Sequence, residues 1–142
     1  MSQLKPRKTS DDYSTDAWLK TGLFHGWYDP CPLGGLDDPD VPDGLTEKWA
    51  AYGDQVFVNP PYSNPLPWVE KAIEQATDFR ITVVLLLNHD SSTKWWAKLH
   101  EAGAHFMPII GRLKHGTGSW GPKPSVLCVL SGSAAMGWEW DE

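Results

Sequence analysis

The sequence predicts an α/β domain with a mostly parallel sheet closed by a C-terminal hairpin, on three observations. Residues 81–87 are almost unbroken apolar and β-branched near their start, as in a central strand covered on both faces. A second apolar run, residues 56–58, precedes it. Between the two, Val69, Ala72, Ile73 and Ala76 fall at the i, i+3, i+4, i+7 spacing of one helical face. Strand, helix and strand in that order make a parallel crossover unit. Finally, residues 125–130 are apolar throughout and follow a strand-like segment at 105–110, so the Gly-rich stretch between them is expected to return the chain into the sheet as a hairpin.

At 142 residues the chain is long enough for one core, and 41% hydrophobic with 21% charged residues describes a soluble, globular domain. A single folded unit is expected. The expected division is a flexible N-terminal tail at 1–12, a folded domain at 13–131 and a C-terminal tail at 132–142 that holds two tryptophans among small and acidic residues. The two cysteines, Cys31 and Cys128, cannot form a disulfide framework, and no segment approaches a membrane-spanning length. The polar start of the chain is not a signal peptide, so a cytoplasmic, reducing location is expected. A net charge of −6 leaves phosphate contacts to a local basic patch.

In chain order, Lys5, Arg7 and Lys8 lie in the tail. Ser14, Thr15 and Asp16 then offer a cap for a short amphipathic helix carrying Trp18, Leu19 and Leu23. Residues 26–32 are expected to form a strand ended by Asp29 and Pro30. A carboxylate at the carboxyl end of a strand either accepts hydrogen bonds from a ligand's ammonium or hydroxyl groups or caps its own turn. Residues 36–54 form a loop rich in Asp, Pro and Gly, with a turn of helix near Thr46, Glu47, Lys48 and Trp49. Its cluster of Asp37, Asp38, Asp40 and Asp43 lacks the ligand order of a calcium loop, and no metal site is expected. About two dozen residues separate the Asp29 and Asn59 strands, too few for two βα units at ~30 residues each. The domain is therefore a minimal version of its class.

Residues 56–62 are the candidate active-site turn: an apolar strand runs into Asn59, Pro60, Pro61 and Tyr62. Two prolines stop the ladder and stiffen the exit at the sheet's carboxyl edge, where open α/β sheets bind ligands. The Asn59 amide oxygen and the Pro60 carbonyl are two acceptors for one planar NH2 group, and Tyr62 supplies a stacking face. Ser63, Asn64 and Pro65 begin the following helix, with Trp68 in the core. At the end of the 81–87 strand, Asn88, His89 and Asp90 face the same edge; His89 beside Asp90 is taken as a loop contact, not an acid-base pair. Leu99, Ala102 and Gly103 end the next helix. Arg112, Lys114, His115 and Lys123, with Trp120 among them, form the densest basic stretch. Such a mixture suits single-stranded or flipped DNA, or else is a solvated hairpin loop.

The run Asn59-Pro60-Pro61-Tyr62 resembles the catalytic motif of S-adenosylmethionine-dependent amino-group methyltransferases. Across residues 15–130 the pattern is similar to the phage-type, Dam-like DNA N6-adenine methyltransferases. The matching features are Thr15, Asp29-Pro30, Gly44-Leu45 with Trp49, the stretch 93–96 and Gly111-Arg112. The resemblance implies a minimal Rossmann-like methyltransferase sandwich with strands near Trp27, Val56, Val83, Phe106 and Val126 and helices on both faces. It implies methyl transfer from S-adenosylmethionine to N6 of adenine in DNA, in a phage or prophage-derived protein of the host cytoplasm with no obligate protein partner. Catalysis would fall to Asn59, Pro60, Pro61 and Tyr62, the cofactor to Thr15, Asp29, Pro30 and Asn59, and DNA to Ser63, Lys94, Arg112, Lys114 and Lys123. The chain departs from the family where Asp16 follows Thr15 in place of proline, and where residues 31–33 interrupt a Gly-x-Gly loop before Gly34 and Gly35. Two other readings stand: a protein glutamine N5-methyltransferase, whose substrate also presents a planar NH2, and a non-catalytic DNA- or protein-binding relic of the fold.

Overall fold

A computed structural model describes residues 18–32, 43–109 and 124–132. Four strands, β1 (Gln55–Val58), β2 (Thr82–Asn88), β3 (His105–Pro108) and β4 (Ser125–Leu130), form one sheet in the order β1-β2-β4-β3. Two helices, α1 (Leu66–Phe79) and α2 (Lys94–Glu101), connect β1 to β2 and β2 to β3. The expected α/β class is present, but the sheet is mixed and not mostly parallel. Only β1 and β2 pair in parallel; β4 is antiparallel to both β2 and β3. The cause is where the hairpin strand goes. Returning from β3, β4 inserts between β3 and β2 instead of extending the edge, so one reversed strand makes two antiparallel ladders. Beyond β1, the expected first strand near Trp27 is reduced to a single parallel bridge, Tyr28 to Val56. The Tyr28 amide donates to Gln55 and its carbonyl accepts from Phe57, at 3.1 and 2.9 Å.

The period-2 alternation of β2 sorts its side chains between two cores. Val83, Leu85 and Leu87 join Val56, Val58, Val126 and Cys128 beneath Trp68, Val69, Ala72 and Ala76 of α1 and Trp95 and Leu99 of α2. Val84 and Leu86 face the other way, with Phe57, Leu127 and Leu19, and with Phe24 and Trp27 at the margin. Among the described residues, both α-helices therefore lie on one face. Two crossovers of the same hand that step the same way along a sheet must do this. Among the described residues, the second face carries a π-helical turn, Trp18–Leu23, which buries Leu19 and leaves Leu23 exposed.

Helix α1 follows Pro65 and ends at Arg80, which adopts a left-handed φ of 58° and donates its amide to Ala76. On its buried face, Gln75 Oε1 accepts from the amides of Trp49 and Ala50 at 2.9 and 3.4 Å. The Trp49 indole donates to the Gly44 carbonyl at 2.7 Å. The short 3-10 segment Trp49–Ala51 is thereby clamped to α1 just before β1. Gly44 is required on steric grounds: a Cβ there would sit 2.1 Å from the Pro30 carbonyl oxygen.

Candidate active site

The site is built on the carboxyl ends of β1 and β2. Parallel pairing brings both strand ends to one edge; the last pair is Val58 with Leu85, and β2 continues to Asn88. After Val58 the chain leaves the ladder at Asn59, as two prolines demand. Asn59 is half-buried with its Oδ1 shielded from solvent, and Pro60 is buried. Tyr62 and Ser63 form the tip of the turn.

Between this tip and the β2–α2 turn lies a cavity of about 300 Å³, lined by Tyr62, Ser63, Pro65, Leu87, Asn88, Asp90, Thr93 and Trp95. That volume is at the small end for ligand pockets, and its mix of an aromatic ring, apolar floor and a few polar groups suits one flat, polar-edged molecule. The expected facing of Asn88 and Asp90 toward this edge is observed. Leu87, which also lines the cavity, carried no distinguishing signal in sequence because it is one apolar residue of an apolar strand. The turn that presents Asp90 is rigid: its Oδ1 accepts from the Ser92 amide and hydroxyl at 3.1 and 2.5 Å, and its carbonyl accepts from the Thr93 hydroxyl at 3.0 Å. Thr93 in turn caps α2, its Oγ1 accepting from the Trp96 amide at 3.2 Å. Lys94, exposed in the first turn of α2, stands beside this wall between two cavity residues.

Asp29 follows the Tyr28 bridge, which is parallel to β1, so it lies on the same edge as Asn59. Neither residue lines the cavity just described. Asp29 Oδ1 accepts from the Cys31 amide at 2.9 Å, the turn-capping role open to such a carboxylate. Pro30 is buried with its carbonyl packed on Gly44. The neighbouring Tyr28 ring stacks on Tyr52 at 4.5 Å. Burial, with smaller contributions from Tyr52, Glu47 and Asp29, pushes the Tyr28 phenol up to about 12, so it is a neutral group here. The Tyr52 hydroxyl donates to Glu47 at 2.7 Å, and this bond raises its own pKa. Asp43, one of the acidic loop residues, caps its own turn by accepting from the Leu45 amide at 3.0 Å. Thr15, Arg112, Lys114 and Lys123 lie outside the described residues, as do Asp37, Asp38 and Asp40. The Gln75 clamp was missed in sequence; the available signal was a polar residue set inside the apolar stripe between Ala72 and Ala76.

A family model described as DNA N-6-adenine-methyltransferase (Dam) matches residues 40–126, more than half of the chain. A DNA N-6-adenine-methyltransferase of Haemophilus phage HP1 (strain HP1c1) is 54% identical over 52 residues, 37% of this chain and 29% of that protein. A DNA N-6-adenine-methyltransferase of Escherichia phage T1 is 35% identical over 63 residues, 44% of this chain and 26% of that protein. The matched region thus spans less than a third of either relative. No solved structure matches the chain. Among the described residues, no helix is long and apolar enough to cross a membrane.

Proposed function

The chain belongs to the DNA N-6-adenine-methyltransferase (Dam) family, and we propose that it transfers a methyl group from S-adenosylmethionine to N6 of adenine in DNA, in the cytoplasm of its host cell. The observation that carries this reading is the Asn59-Pro60-Pro61-Tyr62 turn at the end of a parallel strand, with its tyrosine on the wall of a cavity sized for one small ligand. Asn59 Oδ1 and the Pro60 carbonyl accept the two N6 hydrogens. An aromatic amine is a poor nucleophile because its lone pair is delocalised into the ring. Two fixed acceptors oppose that delocalisation, favour a pyramidal nitrogen and tolerate the positive charge that grows on it. Tyr62 stacks on the base and holds the nitrogen in line, while Asn88 and Asp90 close the opposite wall. The acceptor pair needs no general base before attack.

Asp29 and Asn59, a carboxylate and an amide on one sheet edge, suit the hydroxyl and ammonium donors of S-adenosylmethionine. When bound, that cofactor supplies an electrophilic methyl group on sulfonium. The proposed phosphate contacts are Ser63, which lines the cavity, Lys94, which follows the lining Thr93 in the chain, and Arg112, Lys114 and Lys123, which lie outside the described residues. The test is transfer of labelled methyl to DNA by the wild type and by Asn59→Ala. Loss of one preorganised acceptor lowers the rate by about a hundredfold or more with the fold unchanged. Near-wild-type turnover in the variant would remove the turn from the mechanism.

A further inference from the structure

His89 is the part of the site's rim for which the transfer reaction has no use. It is exposed, and its ring lies parallel to that of Trp96, with centroids 5.3 Å apart and planes at 6°. Trp96 stacks in turn on Phe106, at 4.3 Å and 16°. Two stacked pairs that share Trp96 therefore link the β2–α2 turn, α2 and β3. Trp96 and Phe106 are half-buried and packed against the main core. The His89 amide donates to the Pro124 carbonyl at 2.8 Å, which ties His89 to the start of β4. His89 sits between Asn88 and Asp90, both of which line the Tyr62 cavity.

An exposed flat ring backed by a second ring is a stacking platform, and the Trp96 contact holds the side chain in place, so a further ring meets little entropic cost there. A base drawn into the Tyr62 cavity brings its neighbour on the same strand to the cavity's rim. We infer that His89, backed by Trp96 and Phe106, stacks the nucleobase adjacent to the target adenine. This rests on the DNA reading above. Every base has a π-face, so the platform orients any neighbour without reading its identity. Stacking also supplies affinity without phosphate contacts, which a chain of net charge −6 makes in limited number.

The test uses the full chain and a duplex carrying a site that the wild type methylates, with 2-aminopurine replacing either neighbour of the target adenine. Binding quenches the fluorophore at one of the two positions. His89→Ala relieves the quenching and raises KM for DNA by about five- to hundredfold, with kcat within about threefold. His89→Phe restores both, because it keeps a flat ring on Trp96. A duplex with an abasic neighbour raises KM for the unaltered wild type equally, a readout that a merely structural role for His89 would not move, and one that decides the matter even where the alanine variant fails to fold. The platform is overturned when both fluorophore positions stay bright on binding, or when the wild type is indifferent to abasic neighbours. A wild type that methylates no DNA overturns the proposed function and this inference together; methylation with an indifferent His89 removes the platform alone.

Discussion

Asp29 shows how one residue can serve two roles that a single substitution confuses. Its carboxylate caps the Cys31 amide, and the proposed role adds bonds to the cofactor. Asp29→Asn keeps an oxygen for the cap and loses the charge, whereas Asp29→Ala loses both. In calorimetric titration with S-adenosylmethionine, both variants should weaken binding by about 1.5–3 kcal/mol, the range for hydrogen bonds to a charged group, and only the alanine should also lower Tm. Unchanged affinity in both would confine Asp29 to its cap. Two further groups make the fold's stability depend on alkaline pH. Burial pushes the Cys128 thiol up to about 12, as it does the Tyr28 phenol. Both bind their protons more tightly folded than unfolded. Stability is thus fully present below the ordinary values of 9.0 and 10.0 and is lost as pH rises toward about 12. Urea unfolding measured from pH 8 upward should show this fall, and Tyr28→Phe should shrink the part above pH 10.

At the scale of elements, the approach to β1, which leads into the candidate active-site turn, depends on a polar clamp inside an apolar helix face. Gln75 satisfies two backbone amides that α1 would otherwise bury, and the Trp49 indole closes the loop onto Gly44. Gln75→Leu preserves approximate bulk and strands the Trp49 amide. The expected loss is about 1–3 kcal/mol in denaturant unfolding, the cost of an unmet buried donor. A loss below about 0.5 kcal/mol, the ordinary range for a surface change, would mean that water or a shifted backbone replaces the amide. The segment 43–54 and β1 are adjacent in the chain, so the same substitution should also loosen the Asn59 turn and lower kcat for methyl transfer. Neighbouring α2 is set up more locally, through the Thr93 cap that also fixes the Asp90 wall.

For the whole molecule, charge is the governing quantity. A net charge of −6 opposes DNA, so Arg112, Lys114 and Lys123 are expected to concentrate the favourable field. Changing all three to alanine should lower the slope of log affinity against log salt by about 0.7–0.9 per lost phosphate contact, nearly independently of sequence, and leave cofactor affinity in place. An unchanged slope would move the phosphate path elsewhere, for instance to Lys5, Arg7 and Lys8. The absence of any salt-dependent DNA binding by the wild type would instead favour a glutamine side chain as the methyl acceptor. The fold adds its own logic at this scale. Among the described residues, the Trp18–Leu23 turn packs Leu19, with Phe24 and Trp27 at the margin, on the face opposite both α-helices.

Local pattern by itself determined the central elements and where the chain leaves β1. The apolar run at 81–87, the 3–4 spacing from Val69 to Ala76 and the strand that breaks at Asn59 are short-range signals, and each lies where it was expected. The Asn59-Pro60-Pro61-Tyr62 turn was legible for the same reason: proline acts on its immediate neighbours. What the sequence could not decide was pairing between segments far apart in the chain. An apolar strand such as 125–130 reads the same whether it extends an edge or inserts between two others, and only the ladder shows that β4 runs between β2 and β3 and makes the sheet mixed. Likewise, the Gln75 clamp spans 26 residues, and the His89, Trp96 and Phe106 rings come from three elements. Contacts of that kind arise from packing, which no local periodicity encodes, and it was the tertiary structure that brought them to one edge of the sheet.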